Sequence, residues 1–177
     1  MPNAFPSAQY IFAPRPWRSS LALTVVLATL LAAVPGRTAE KNLPVPRFVT
    51  LRSDKVNVRT GPGEQYPIDW VFTRKGMPVE IVAEFNHWHR IRDVDGTEGW
   101  VQERMVRGQR AVIVRGHQQA LRDRPSNDAE IVARAEPGVI AELSECQPAW
   151  CRVKAGEISG WLKRDEIWGV YPGEVVQ

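Results

Sequence analysis

The sequence predicts an all-β protein built from two small barrels in tandem, which follow an amino-terminal export signal. Three observations lead to this fold class. A pattern that begins with Trp-x-Arg and ends with Gly-Trp occurs twice, in residues 88–101 and 150–162. Strand-like runs after residue 39 are short and are bounded by Gly, Pro, Asn or Asp, while helix signals are nearly absent. An apolar run preceded by arginines lies near the amino terminus.

The repeat is the strongest of these observations, because tryptophan is rare and the matched tryptophans occur in the same order. The matched positions are Trp88 with Trp150, Arg90 with Arg152, and Gly99-Trp100 with Gly160-Trp161. The match continues upstream, where residues 56–71 align with residues 119–134. The second copy is shorter by a residue in each of two loops, which loops tolerate at little cost. A repeat of this length predicts one structural unit used twice.

Five short strands are expected in the first copy, each bounded by turn residues. They cover residues 56–58, 70–72, 79–85, 88–92 and 99–101. Thr60-Gly61-Pro62-Gly63 predicts a turn-rich loop, and Asp95-Gly96 is a dipeptide that favours a tight hairpin turn. Five short strands in so small a unit indicate a compact barrel.

The first 39 residues lie outside the repeat and have the three-part layout of a secretory signal. Arg15 and Arg18 precede an apolar run over residues 21–34, which is shorter than the roughly 20 residues of a membrane span. A cleaved signal peptide is expected, with the cut near Ala33 or Ala39. The alternative is an uncleaved anchor, which would hold the protein at a membrane. Both alternatives predict export, to the periplasm or beyond the cell.

The domain boundaries follow from the repeat and its flanking segments. Residues 40–48, which contain two prolines, are expected to form an extended lead-in. The first barrel is expected over residues 49–107, the second over residues 110–170, and a short tail over residues 171–177. The joint between the copies is short, so the barrels are expected to touch.

The charge of the chain gives no sign of a nucleic-acid partner. The whole chain has a formal net charge of +3 and a pI near 9.1. The leader holds three arginines and no acid, so removing it leaves 23 − 3 = 20 basic residues against 20 acidic ones. Nucleic-acid binders usually carry a basic patch or stripe, whereas the basic residues here alternate with acids.

Cys146 and Cys151 are the two cysteines of the chain. In an oxidising compartment such a pair is expected to form a disulfide, which here would clamp a hairpin across its proline-containing turn. A redox-active pair is the weaker alternative, since the spacing is not Cys-x-x-Cys. The first copy has Glu84 and His89 at the equivalent positions.

At these residues the chain resembles the bacterial SH3-like (SH3b-type) domain of exported proteins. In the first copy, the motifs that carry the resemblance are residues 56–63, Tyr66-Pro67-Ile68, residues 76–79, residues 88–91 and Gly99-Trp100-Val101. The second copy keeps fewer of them, and it lacks the loop glycines and the tyrosine. The resemblance implies a small, strongly bent barrel without catalysis, of the kind that serves as a targeting or binding module on cell-wall and envelope proteins.

The candidate ligand-binding residues lie in the first copy and are Tyr66, Trp70, Trp88, Trp100 and Arg59. Tyr66 is expected at the tip of the glycine-rich loop, because loops on a rigid scaffold often carry binding. Trp100 and its match Trp161 could instead be core side chains. Arg59 and its match Arg122 could be structural, paired with a local acid such as Glu64, or could bind a carboxylate.

No catalytic motif occurs, so a non-enzymatic protein without a cofactor is expected. His87 and His89 form a His-x-His pair without an evident third ligand, so no metal site is expected. The predicted function is binding of cell-wall peptidoglycan, or of an envelope protein or peptide, through the barrels. The alternative is a structural or assembly role, in which the aromatic surfaces mediate packing between barrels or between copies of the chain.

Overall fold

The computed structural model describes residues 43–177, which belong to one compact unit. The expected export signal, residues 1–39, lies outside the described residues. The first copy folds into an antiparallel sheet of seven strands with the order β3-β2-β6-β5-β4-β1-β7. The strands are β1 (Arg47–Leu51), β2 (Val56–Arg59), β3 (Ile68–Phe72), β4 (Pro78–Phe85), β5 (Trp88–Arg92), β6 (Glu98–Gln102) and β7 (Val106–Arg107).

The second copy repeats the first strand for strand, with the order β10-β9-β13-β12-β11-β8-β14. The strands are β8 (Ala111–Val114), β9 (Gln119–Arg122), β10 (Ile131–Ala135), β11 (Ile140–Cys146), β12 (Trp150–Ala155), β13 (Ile158–Lys163) and β14 (Ile167–Trp168). A 3-10 turn precedes the last short strand of each sheet, at Glu103–Met105 and at Arg164–Glu166. Within residues 43–177, no helix is long and apolar enough to cross a membrane. The all-β fold with two tandem SH3-like barrels is therefore confirmed.

All five strands expected in the first copy are present, and the structure adds β1 and β7. Strand β1 contains residues that the sequence indicated as the end of an extended lead-in. It pairs with β4, where Val49 lies opposite Val79, and with β7, where Leu51 lies opposite Val106. The expected count of five strands was too low, because both added strands form through pairing with distant segments rather than through a long local pattern.

The core of the first barrel is made by side chains that alternate along the strands. Val56 and Val58 are fully buried while Asn57 between them is exposed, which is the period-two pattern of a half-buried strand. Leu51 from β1 is also fully buried in this cluster. Full burial of each such side chain stabilises the fold by about 1.5–3 kcal/mol, so β1 is part of the barrel core rather than an appendage.

The core of the second barrel contains a disulfide between Cys146 and Cys151. These residues lie opposite each other where β11 and β12 meet, and residues 147–149 form the turn between them. Both cysteines are almost completely buried, at 2% and 0% exposure. The bond therefore closes a hairpin and packs in the core at the same time.

Reducing this disulfide is expected to lower the free energy of unfolding of the second barrel by about 2 kcal/mol, the loop-entropy value for so short a closed loop. Urea unfolding with and without a reductant measures the change. A Cys146→Ala, Cys151→Ala double variant is the control, because its unfolding midpoint should not respond to reductant. If thiol titration shows complete reduction and the midpoint does not move, the expectation is wrong.

The two barrels contact each other through aromatic side chains and hydrogen bonds. Phe48 of β1 packs edge-on against Trp168 of β14, with ring centroids 4.9 Å apart, and its centroid lies 4.7 Å from that of Tyr171. The Tyr171 hydroxyl donates to the Glu80 carboxylate at 2.9 Å. Burial is the main cause that raises the pKa of Tyr171, and the hydrogen bond to Glu80 raises it further. The phenol therefore stays protonated at neutral pH and continues to donate this hydrogen bond.

Candidate functional site

In each barrel, the tryptophan of the Gly-Trp dipeptide lies on the opposite side of its strand from the buried residue that follows it. Trp100 on β6 is paired with Arg59 of β2 on one side and with Arg90 of β5 on the other. Directly paired residues share a face, so these three side chains form a row across the sheet. The neighbour Val101 is fully buried and faces the core. Trp100 is half-buried and lies outside the first core cluster.

The second barrel has the same row, because Trp161 is paired with Arg122 and with Arg152. Trp161, by contrast, is buried at 8% exposure and belongs to the core side chains, so the interpretation as a core side chain is confirmed for Trp161. The two copies thus keep the geometry of this face but differ in how far the tryptophan is accessible.

Arg59 holds the loop that follows it. Its Nη1 donates to the backbone carbonyls of Glu64 at 3.1 Å and of Tyr66 at 2.6 Å. Its match in the second copy, Arg122, donates to the carbonyl of Ala129 at 2.7 Å. The structural interpretation of the matched arginines therefore has the right role but the wrong partner, since the contacts are to carbonyls. The Glu64 carboxylate instead accepts from Gln102 at 2.9 Å.

Tyr66 lies on the surface of the glycine-rich loop and is 39% exposed. Its ring packs against the backbone of Gly61, where an added Cβ would collide with the ring. The missing side chain at Gly61 therefore leaves the space that the Tyr66 ring occupies. The aromatic ring is accessible, but Tyr66 does not line the cavities described below.

Trp70 has a packing role. It makes an edge-on contact with Phe72 at a centroid distance of 6.1 Å, and both pack against the first core cluster. Its ring also lies over Gly99. The structure thus places Trp70 away from Trp88, and the five candidate residues do not converge on a single surface.

Trp88 lines two adjoining cavities, of about 310 Å³ and 520 Å³, that we call the Trp88 groove. The residues shared by both cavities are Glu64, Trp88, Gln102 and Arg104. Arg59 lines the smaller one. The polar side chains form a chain, in which Arg104 donates to Gln102 at 2.6 Å and Gln102 donates to Glu64. The groove thus offers an aromatic face beside hydrogen-bonding groups, the usual composition of a ligand site.

The two histidines of the His-x-His pair contact different carboxylates. His87 contacts Glu103 at 3.1 Å, while His89 contacts Glu84 at 3.2 Å. Burial lowers the pKa of His89, so this ring is neutral at pH 7. Within residues 43–177, no three His, Cys, Asp or Glu side chains lie close enough to hold a metal ion.

A larger cavity, of about 750 Å³, lies beside Trp150, the match of Trp88 in the second copy. We call it the junction cavity, since its wall includes Phe48 of the first barrel together with Trp168 and Tyr171. Every candidate ligand-binding residue predicted from the sequence lies in the first copy, so this cavity was not predicted. The match of Trp150 with Trp88 was the available signal, whereas the rest of the wall depends on contact between the barrels.

Arg164 and Arg110 hold the carboxyl-terminal segment that forms part of this wall. Arg164 donates to the carbonyls of Gln147, Pro148, Tyr171 and Glu174 at 2.6–3.1 Å. Arg110 makes a bidentate pair with the Glu174 carboxylate at 2.5 Å and 3.1 Å. Burial is the largest single influence and would raise the pKa of Glu174. The hydrogen bonds from Arg110 and from the Tyr171 backbone, together with the charges of Arg110 and Arg164, outweigh burial, so the pKa lies below its ordinary value.

Comparison with known proteins agrees with the repeat. A family model described as the bacterial SH3 domain matches residues 52–108 and 115–169. The chain is 23% identical over 128 residues to a Bacillus subtilis (strain 168) protein named "Putative N-acetylmuramoyl-L-alanine amidase YrvJ". The match covers 66% of this chain and 24% of the length of that protein.

Two solved structures from Trichomonas vaginalis, NlpC2 and NlpC1, are also similar to the chain. They are 10% and 11% identical, each with a TM-score of 0.33. Each match covers 71% of this chain, but only 49% of NlpC2 and 46% of NlpC1. The chain therefore corresponds to less than half of each of these proteins.

Proposed function

The chain belongs to the bacterial SH3 domain family, and we propose that it is a non-catalytic envelope protein that binds cell-wall peptidoglycan or an envelope protein or peptide. The Trp88 groove carries this binding. The observation that supports it is the half-buried Trp88 ring, which lies open to two cavities among polar side chains that are already tied together by hydrogen bonds. Such preorganised polar groups lose little freedom when a ligand binds.

The relative in Bacillus subtilis supports peptidoglycan as the ligand class. That protein is named as an amidase acting on N-acetylmuramoyl-L-alanine, a linkage found in peptidoglycan. The similarity covers 24% of its length and, in this chain, falls where the SH3-type copies lie. We therefore take from the relative an association with the cell wall and not its catalytic activity.

An exported location, in the periplasm or outside the cell, fits this proposal. The expected signal segment directs the chain to export. The disulfide between Cys146 and Cys151 is of a kind that persists in oxidising compartments. Peptidoglycan lies in the same space, so ligand and protein would meet there.

The second candidate function is an assembly role, and one observation favours it. Phe48, Trp168 and Tyr171 are already used for packing between barrels, which shows that aromatic surfaces of this chain can serve that purpose. Phe85 is 54% exposed beside Trp88 and could contact a second copy of the chain. Light scattering of the purified protein distinguishes the two functions, because a tight dimer that fails to bind cell walls supports assembly.

Purified protein is expected to co-sediment with isolated cell-wall sacculi. A Tyr66→Ala, Trp88→Ala double variant should bind at least about tenfold more weakly, the usual cost of removing an aromatic anchor. The single variants sharpen this test. Trp88→Ala should account for most of the loss, because Trp88 lines the groove and Tyr66 does not.

Ile158→Ala is the matched control for this experiment. Ile158 is 49% exposed on a hairpin of the second barrel, so the change removes apolar surface without touching the Trp88 groove. The control should sediment like the unmodified protein. Retention of the double variant at the unmodified level would remove the Trp88 groove as the binding site.

A further inference from the structure

The junction cavity carries an inference that goes beyond the proposed function, since it shares no lining residue with the Trp88 groove. We propose that it is a second binding site, which takes a short peptide ending in a free carboxylate. Its volume of about 750 Å³ exceeds that of either cavity beside Trp88 and falls in the range of small-ligand sites.

The walls of the junction cavity are aromatic and fixed in place. Trp150 forms one wall, at the start of β12, directly after the disulfide-closed turn. The facing wall includes Phe48, Trp168 and Tyr171, which pack on one another between the barrels. Because these rings are held by packing and by the Tyr171 hydrogen bond to Glu80, they present apolar surface to a ligand without further ordering.

Two cations of the cavity have no acidic partner. The Lys163 ammonium lies 5.8 Å from the centre of the Trp150 ring and forms no ion pair with any residue of the described range. Arg115 is exposed at the rim and likewise has no ion pair among residues 43–177. A third cation, Arg164, is already occupied by four backbone carbonyls.

The acids of the cavity leave a positive balance. Glu80 is engaged, since its carboxylate accepts from Arg92 at 3.2 Å and from the Tyr171 hydroxyl at 2.9 Å. Asp165 is exposed and makes no ion pair within residues 43–177. The cavity is therefore lined by two cations without an ion pair, Lys163 and Arg115, and by one acid without an ion pair, Asp165. This excess of positive charge favours an anionic ligand. A carboxylate suits both an ammonium and a guanidinium.

The remaining groups favour a peptide as the carrier of that carboxylate. Asn127 lines the cavity, is exposed, and its side chain makes no hydrogen bond with any described residue. Its amide offers both donors and an acceptor, which match the C=O and N–H of a peptide group. The aromatic walls then contact the side chains of the peptide, and Lys163 and Arg115 bind its terminal carboxylate.

The two barrels differ in charge at the residue opposite the first tryptophan of the repeat. Lys163 lies opposite Trp150, and Gln102 lies opposite Trp88, so the two residues are equivalent in the two sheets. Gln102 is neutral and is bonded to Glu64 and Arg104. A Lys163→Gln substitution therefore gives the second barrel the side chain of the first without changing the fold.

Titration of the purified protein with N-acetyl-trialanine and with its carboxyl-terminal amide, followed by calorimetry, tests the proposal. The acid should bind at least tenfold more tightly than the amide. Lys163→Gln should remove most of this preference, and Trp150→Ala should abolish binding of both peptides. Ile158→Ala, which removes exposed apolar surface outside both the junction cavity and the Trp88 groove, should leave the affinities unchanged.

Equal affinity for the acid and the amide would overturn the carboxylate preference. Binding that survives Trp150→Ala would overturn the location. A protein that binds tri-N-acetylglucosamine and neither peptide would overturn the peptide class. These outcomes are independent of the sacculus experiment, whose result depends on Trp88 and not on Trp150.

Discussion

Replacing Gly160 with alanine is expected to lower the free energy of unfolding of the second barrel by about 3 kcal/mol, the upper end of the usual cost of overpacking a core. A Cβ at Gly160 would lie 2.6 Å from Cγ of Leu121 and 2.8 Å from the carbonyl oxygen of Arg122. The second contact is to backbone of the neighbouring strand β9, which cannot turn away as a side chain can. Urea unfolding monitored by tryptophan fluorescence measures the loss.

The same substitution at Gly99 is expected to destabilise the first barrel in the same way. A Cβ there would collide with a methyl group of Val58 and would lie 3.2 Å from the Arg59 carbonyl oxygen. Valine has few alternative rotamers, so its methyl group cannot easily move aside. The Gly160 change should be the more costly of the two, because it meets backbone at the shorter distance.

Gly108→Ala is the control for both glycine substitutions. An added Cβ at Gly108 would meet no atom within 4 Å, so the change should stay within about 0.5 kcal/mol of the unmodified protein. If Gly160→Ala unfolded at the same urea concentration as Gly108→Ala, the close approach of β13 to β9 would not be a constraint on the fold. The expected result instead explains why glycine precedes tryptophan in both copies, since a Cβ at that position would collide with atoms of the adjacent strand.

The tandem fold could be predicted from the sequence because its signals are local. Each Trp-x-Arg and Gly-Trp pattern lies within a single hairpin, and the turn residues between strands are contiguous in the chain. Strand β1 lacks such a signal, because it follows two prolines and becomes a strand only where Val49 meets Val79 of β4. Strand β7 has two residues and contains no periodic pattern at all. Both depend on long-range pairing that composition does not record.

The candidate sites could be predicted only in part, for a related reason. Trp88 became a candidate because it begins a strand after a turn, and in the structure it lines two cavities. The sequence could not show that Trp70 packs against the core while Trp88 lies open, because this depends on neighbours from other strands. The junction cavity needs Phe48 from the first strand and Trp168 from the last, so no local pattern indicates it.

Arg164→Ala is expected to destabilise the second barrel by about 3 kcal/mol and to release the carboxyl-terminal segment. Arg164 donates to four carbonyls, of Gln147 and Pro148 in the hairpin turn and of Tyr171 and Glu174 in the final segment. Each hydrogen bond from a charged donor contributes about 1.5–3 kcal/mol when buried, and the part-exposed location of Arg164 reduces the sum. Urea unfolding measures the stability, and limited proteolysis after residue 168 measures the release.

Arg124→Ala is the matched control, because Arg124 is also an arginine of the second barrel but its side chain is 71% exposed. Among residues 43–177 it forms an ion pair only with its neighbour Asp123. Its loss should change stability by less than about 0.5 kcal/mol.

Release of the final segment in Arg164→Ala would also move Tyr171 away from Phe48 and open one wall of the junction cavity. Arg164→Ala should therefore weaken peptide binding even at temperatures where the variant is fully folded, while the Trp88 groove keeps its affinity for sacculi. A variant with unchanged stability and unchanged protease resistance would show that the other contacts of the segment hold it without Arg164. These contacts include the Arg110–Glu174 pair, the Tyr171 hydrogen bond to Glu80 and the backbone hydrogen bond from Cys146 to Val176.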